Sequence, residues 1–326
     1  MVRIGIITEG NLALGLGHVC RMLTLARTLS EVGEVIFFTD SEKAVRQKIA
    51  ASGYRVAASN FNYREALGEL HPFDVVIIDR LHVEESFASW LRKYTDAKLA
   101  IFGNVSEANR HAHLVVNAIM GTRFENRRFR NPASGALHLE GPRYVILGEA
   151  FRNRRNAYML RSRPKSALLL FGGSDQANLT CRVVQRLREV KARIDLTACV
   201  GPLYPYGEEL GRIASKASGS NVRVIWNSDV VWELMLEADV IATSPGNSLF
   251  EAFCLGVPAV AFFQTTHQAH MFRGFPCCFE SEKVEAIYNL IGDIHRDYKH
   301  YRSTVDLLAL GEGYDEIVAE LKGFCG

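Results

Sequence analysis

Apolar residues fall in short blocks along this chain, and their spacing predicts an alternation of strands and helices. Val2–Thr8 is a near-continuous apolar run of strand length, the pattern of a parallel strand covered on both faces. After a glycine-containing stretch, residues 20–29 carry apolar side chains at 22, 23, 25, 26 and 29, one face of a helix. Residues 35–39 read as strand, 41–51 as helix with Ser41 at its N-cap, and 54–57 as strand. Val75–Asp79 follows as strand, 84–94 as helix, and Lys98–Phe102 as strand. Such alternation builds an open α/β domain on a parallel sheet.

The pattern breaks at 151–165, where Arg152, Arg154, Arg155, Arg161, Arg163 and Lys165 crowd a segment of little periodicity. It reads as a solvated linker, with the alternative that one arginine reaches an anionic ligand. The alternation then restarts. An apolar strand at 167–171 is broken by Gly172-Gly173-Ser174-Asp175 and followed by a helix over 177–190. Strands at 194–200 and 222–225, and helices at 208–216 and 230–237, lead to a strand at 238–243. A helix after Ser244, a strand from Val260 and helices from about Lys283 complete the chain. The second half thus repeats the first. Two Rossmann-like domains are expected, 1–150 and 151–326, facing each other across a cleft, the usual place for a ligand.

Composition narrows the function classes. With 326 residues, 48% apolar and 23% charged, the chain suits two ordinary globular domains. A net charge of +2 gives no case for a nucleic-acid partner. The seven cysteines are an odd number with no Cys-x-x-Cys, so neither a zinc site nor a disulfide framework can be read, and buried thiols in a reducing cytosol are expected. The first residues lack the features of a signal peptide, and no apolar run approaches the ~20 residues of a membrane helix. A cytoplasmic protein without a transmembrane segment is expected. There is no Asp-x-Asp, so no bound metal is proposed, and the incomplete glycine fingerprint gives no nicotinamide cofactor.

Two strand-to-helix junctions carry the candidate chemistry. In the first, Ser244-Pro245-Gly246-Asn247-Ser248 breaks a strand and opens a helix. Such a junction offers backbone N–H groups and a helix dipole to an anion, with small side chains at Gly246 and Ser248 allowing close approach. Ser248-x-x-Glu251 is equally a capping box needing no ligand. In the second, Gly15-x-Gly17-His18 lies where the first strand hands over to the first helix. The dipole there disfavours an imidazolium, which suits His18 to accepting a proton; it also suits a histidine that only hydrogen-bonds the helix start. Asp79 ends an apolar strand on the same rim, placed either to orient the imidazole or to cap the next turn.

Residues 15–26, Gly15 and Gly17 through Arg21 to Ala26, resemble the opening motif of the nucleotide-sugar hydrolases of pseudaminic acid biosynthesis, which cleave UDP from a diacetamido-trideoxy sugar. Segments 75–79, 141–147, 171–175 and 251–258 and the pair His267-Gln268 fall in the order found in that family, over nearly the full length. The resemblance implies the glycosyltransferase-B fold shared with MurG-type glycosyltransferases, and a UDP-sugar substrate. It assigns Gly172, Gly173, Ser174, Ser244, Gly246, Asn247 and Ser248 to the diphosphate, Glu251 to the ribose and Gln268 to a phosphate or sugar group. Gly15, Gly17 and Arg21 would line the sugar side, with His18 as general base and Asp79 beside it. The chain departs from the family at Arg80-Leu81, where His-Tyr is common, at Gly103-Asn104, where an acidic pair is common, and at Pro245 and Asn247. A hydrolase using water is the first expectation, an inverting glycosyltransferase the second and a non-catalytic nucleotide-sugar-binding subunit the third.

Overall fold

The fold was taken from a computed structural model, which describes residues 1–11, 15–58, 73–119, 124–191, 193–201, 204–215 and 221–326. Leu12, Ala13 and Leu14 of the glycine-containing stretch, and Lys216 at the end of an expected helix, lie outside the described residues. The chain forms two compact units, one of residues 1–146 with 311–326 and the other of 147–310.

The first unit holds an eight-stranded sheet of β1 (Val2–Thr8), β2 (Gly33–Thr39), β3 (Arg55–Ala58), β4 (Val75–Asp79), β5 (Lys98–Phe102), β6 (Leu114–Asn117), β7 (Arg127–Arg130) and β8 (Leu137–Glu140). Its order is β3-β2-β1-β4-β5-β6-β8-β7. All pairings are parallel except β7 with β8. Alternate side chains serve opposite faces. Ile4, Ile6, Val75 and Ile77 pack with Val19, Met22 and Leu25 of the Gly17–Leu29 helix. Ile7, Val76, Ile78 and Ile101 pack on the other face with Phe87 and Leu91. Cover on both faces explains why β1 and β4 read as unbroken apolar runs.

The second unit carries a six-stranded parallel sheet of β9 (Ser166–Leu170), β10 (Asp195–Val200), β11 (Val222–Trp226), β12 (Val240–Thr243), β13 (Ala259–Phe262) and β14 (Cys278–Phe279), in the order β11-β10-β9-β12-β13-β14. Its core joins Leu169, Val183, Leu187, Leu196, Ala242 and Phe262 with Ile287 and Ile291 of the Ile287–Arg296 helix.

Several expectations are corrected. The last helix, Tyr314–Gly323, belongs to the first unit, where Tyr314, Ile317 and Leu321 enter its core. Ser41 is not an N-cap: the helix begins at Lys43, and the Ser41 hydroxyl accepts the Gly10 N–H at 2.9 Å and the Thr39 hydroxyl at 2.7 Å. The arginine-rich segment is a solvated linker only in part: residues 159–163 are exposed, but several of its arginines are engaged. Arg152 donates to the Leu147 carbonyl, Arg155 to that of Leu310, Arg154 stacks 3.6 Å over the Trp232 ring, and Arg161 pairs with Asp239 at 2.7 Å. The Arg152 and Arg155 guanidinium groups thus meet carbonyls that loops leave open, which gives these two charges a structural role. All seven cysteines are free thiols, with Cys181, Cys199 and Cys254 buried.

Candidate functional site

In an open parallel sheet the crevice for a ligand lies at the carboxyl ends of the strands, where the strand order reverses. In the first sheet that point is the β1/β4 pair. The Gly17–Leu29 helix begins three residues earlier than its apolar periodicity shows, with Leu16 at the N-cap and no side-chain cap. His18 therefore sits in the first helical turn, and Arg21 one turn on along the same face.

Both reach Asp79, the last residue of β4, whose side chain is fully buried. His18 Nδ1 lies 2.8 Å from Asp79 Oδ1. Arg21 Nε donates to Oδ2 at 2.5 Å, and Arg21 Nη2 closes on Oδ1. Burial pushes the Asp79 carboxyl up, but the charges and hydrogen bonds of Arg21 and His18 outweigh it and hold the group below the usual range. An ionised carboxylate only accepts, so a neutral imidazole paired with it carries its proton on Nδ1 and its lone pair on Nε2. The 2.9 Å separation of Arg21 Nη2 and His18 Nδ1 is then an approach of two donors sharing one oxygen. The geometry is that of an imidazole oriented by a carboxylate, and the carboxylate is in turn fixed by a guanidinium.

Four of the residues at which this chain departs from the hydrolase pattern, Arg80, Leu81, Gly103 and Asn104, directly follow β4 and β5. Gly103 has φ +61°, and a Cβ there would lie 2.9 Å from Arg21 Nη2, so the glycine makes room for the guanidinium. Asn104 is held from within, its N–H donated to Asn117 Oδ1 at 2.9 Å. Arg80 Nη2 lies 2.9 Å from Glu9 Oε2, and Glu9 Oε1 accepts the Leu81 N–H at 2.5 Å. Gly15 has φ +72° and open space around its Cβ position. Arg21, expected to bind ligand, is engaged here with Asp79.

In the second sheet the order reverses at β9/β12, and the two glycine turns expected to bind the diphosphate follow those strands. Gly172 (φ +85°), Gly173 and Gly246 (φ +145°) have nothing within 4 Å of a Cβ position. The N-terminus of the Leu179–Glu189 helix is already filled: Asp175 accepts the N–H groups of Leu179 and Thr180, each at 2.8 Å. The Asn247–Leu255 helix differs, with Gly246 at its N-cap and no side-chain cap, so the Ser248–Glu251 capping box does not form. Glu251, five residues into that helix, meets no hydrogen-bond partner or cation among the described residues, and burial alone pushes its carboxyl up to about 7. Ser174 and Ser244 are buried.

Two residues that sequence reasoning missed hold these turns in place. Gln264 Nε2 donates to the Phe171 carbonyl at 2.8 Å and to Ser244 Oγ at 2.6 Å, tying the turns after β9, β12 and β13 together. Gln268, expected on the ligand, accepts the Gln264 N–H at 2.8 Å and donates to the Pro245 carbonyl at 3.2 Å. Gly201, just after β10, is the second: a Cβ there would lie 2.5 Å from Gly173 Cα. The available signals were a lone glutamine closing an apolar strand and a glycine directly after one. Among the described residues no group of three or more His, Cys, Asp or Glu could hold a metal ion, and no helix is long and apolar enough to cross a membrane.

These features define a class: the chain has the glycosyltransferase-B fold. Its structure is similar to MurG of Acinetobacter baumannii (14% identity, TM-score 0.62, covering 99% of this chain and 100% of that one). It is also similar to UGT2 of Phytolacca americana complexed with UDP-2-fluoro-glucose and pterostilbene (11%, 0.65, 100% of each). A third likeness is to the UDP-GlcNAc 2-epimerase of Neisseria meningitidis bound to UDP-GlcNAc (9%, 0.61, 98% and 99%). In sequence, the chain is 37% identical over 283 residues to the uncharacterized protein MJ1062 of Methanocaldococcus jannaschii, covering 84% of this chain and spanning 58% of that protein's length. It is 28% identical over 282 residues to the spore coat polysaccharide biosynthesis protein SpsG of Bacillus subtilis (84% of this chain, 81% of that protein). No family model matches the chain.

Proposed function

We propose that this chain is a nucleotide-sugar hydrolase that releases UDP from a UDP-linked amino or deoxy sugar for surface polysaccharide or nonulosonic acid biosynthesis. The observation that carries the reading is the Asp79–His18 pairing, which leaves Nε2 with its lone pair at the carboxyl rim of the first sheet. His18 Nε2 takes a proton from water, which attacks the anomeric carbon from the face opposite the UDP and inverts it. Asp79 stabilises the imidazolium so formed. The open turns at Gly172-Gly173-Ser174 and at Gly246-Asn247-Ser248 receive the diphosphate, and their N–H groups absorb its developing charge. Gln264 and Gln268 fix those turns beforehand, so little reorganisation is left to the reaction.

A second reading is favoured by the similar proteins: SpsG is a polysaccharide biosynthesis protein, and MurG and UGT2 share the fold. In an inverting glycosyltransferase the same imidazole would take its proton from an acceptor hydroxyl, a nearly identical demand on a base. UDP release from a panel of UDP-sugars, measured without acceptor, tests the proposal. Release in water alone is the expected result, and release that requires an added acceptor overturns hydrolysis in favour of transfer.

A further inference from the structure

Thr8 ends β1 beside Asp79, and the two are register partners in the parallel ladder. Ile4 and Ile6 on β1, and Val75 and Ile77 on β4, pack against the Gly17–Leu29 helix. Side chains alternate along a strand, so Thr8 and Asp79 point to that same face, toward the helix that carries His18 and Arg21. Both are fully buried. The Thr8 hydroxyl nevertheless has no hydrogen-bond partner among the described residues.

A buried hydroxyl left unpaired costs stability that a valine of the same shape, equally suited to a strand, would not. Packing therefore gives no reason for a threonine here. Asp79 gives one. Among the described residues its Oδ2 accepts from Arg21 alone, and its Oδ1 from Arg21 and His18. The Arg21 side chain is 25% exposed, against 14% for His18 and none for Asp79, so it is the member of the cluster able to turn outward toward an anion. Once it turns, a fully buried carboxylate keeps a single donor, and a buried charge stripped of its partner is strongly disfavoured. Neighbouring strands lie about 5 Å apart, so a rotation about the Thr8 Cα–Cβ bond carries its hydroxyl within reach of the carboxylate.

We infer that Thr8 is a donor held in reserve for Asp79. With the site empty, Arg21 holds the carboxylate and the Thr8 hydroxyl is unused. When an anionic ligand draws Arg21 away, Thr8 donates to Asp79 in its place and keeps the carboxylate ionised and aimed at His18 Nδ1. Thr8 is thus a positioning residue that acts through Asp79. The trigger in this scheme, a phosphate-bearing ligand, rests on the proposed function; the exchange of donors does not.

The test is a thermal double-mutant cycle on the full chain without ligand. Thr8→Val should raise Tm by a few degrees in the wild-type background, because an orphan hydroxyl is removed. In an Arg21→Met background, where Thr8 is already called onto Asp79, the same change should lower Tm. A rise of equal size in both backgrounds overturns the inference. Should Arg21→Met fail to fold, Arg21→Lys, which leaves one Asp79 oxygen open, serves instead. In turnover of UDP-N-acetylglucosamine, Thr8→Val should be roughly tenfold slower with UDP affinity within twofold, and Thr8→Ser should restore the rate; a fully active Thr8→Val also overturns the inference. A wild-type protein that releases no UDP from any UDP-sugar defeats the proposed function, and the thermal cycle then decides Thr8 by itself.

Discussion

Arg21 and Asp79 meet as a two-pronged ion pair, with Nε 2.5 Å from Oδ2 and Nη2 on Oδ1, and His18 shares the second oxygen. One fully buried carboxylate thus fixes two groups presented by successive turns of one helix. Removing it strands a cation and leaves the imidazole unoriented.

Asp79→Ala is accordingly expected to cost ~1–3 kcal/mol of stability, the range for hydrogen-bonding groups left without their partner when one of them can still reach solvent. The pH dependence follows from the direction of the shift. The folded-state pKa of Asp79 lies below its ordinary 3.8, so its stabilisation is fully present above that value and is lost as the pH falls through the depressed one. Acid titration of unfolding should show this loss in the wild type and not in Asp79→Ala. An unchanged acid limb in the variant would contradict the clamp.

His18→Ala separates chemistry from binding. If Nε2 is the base, UDP release should fall below detection while UDP affinity stays within a few-fold of wild type, since the second unit's turns are untouched. Calorimetric titration with UDP, beside a release assay, reads both. Turnover within tenfold of wild type would remove His18 from the reaction.

What could be read from the sequence, and what could not, divides along physical lines. β1 and β4 were legible because both faces are covered and the apolar runs are unbroken. Asp79 was legible as the polar end of a strand, and His18 as the start of the helix that follows the first strand. β6, β7 and β8 were not: each has four residues, and Arg127–Arg130 shows no apolar alternation. The Arg21 spacing from His18 is visible, but its destination lies 58 residues away, and no local pattern encodes such a contact. The same holds for Gln264, whose partners are 93 and 20 residues distant. The final helix crossing to the first unit is a tertiary fact of the same kind.

Gly201 offers a test of whether the turn after β9 holds the diphosphate, as proposed. In Gly201→Ala a methyl group would lie 2.5 Å from Gly173 Cα, and backbone has to move. Overpacking of this kind costs roughly 1–3 kcal/mol. Because Gly173 belongs to the turn itself, UDP affinity should fall along with Tm. Gly211→Ala is the control: nothing lies within 4 Å of its Cβ position, and it sits inside the Gly207–Ser215 helix, so it should stabilise by up to ~1 kcal/mol with UDP affinity unchanged. If Gly201→Ala lowers Tm but leaves UDP binding intact, the turn after β9 does not hold the nucleotide.

Glu251 makes the sharpest pH prediction. Burial raises its carboxyl from 4.5 to about 7, with no donor or cation among the described residues to offset the cost of ionising it. A raised folded-state value means that the stabilising contribution is fully present below 4.5 and is lost as the pH rises through about 7. Glu251→Gln removes that dependence, so its Tm relative to wild type should climb between pH 4.5 and 8. Ribose hydroxyls donating to Glu251 would favour the ionised form, and UDP binding near pH 6 should then release protons, detectable by calorimetry in buffers of different ionisation enthalpy. Glu251→Ala should reduce the proton release to what the UDP phosphate itself gives up and weaken UDP by roughly 1–3 kcal/mol. Wild-type affinity in Glu251→Ala, with only Tm altered, would make Glu251 a residue of the helix and not of the nucleotide site.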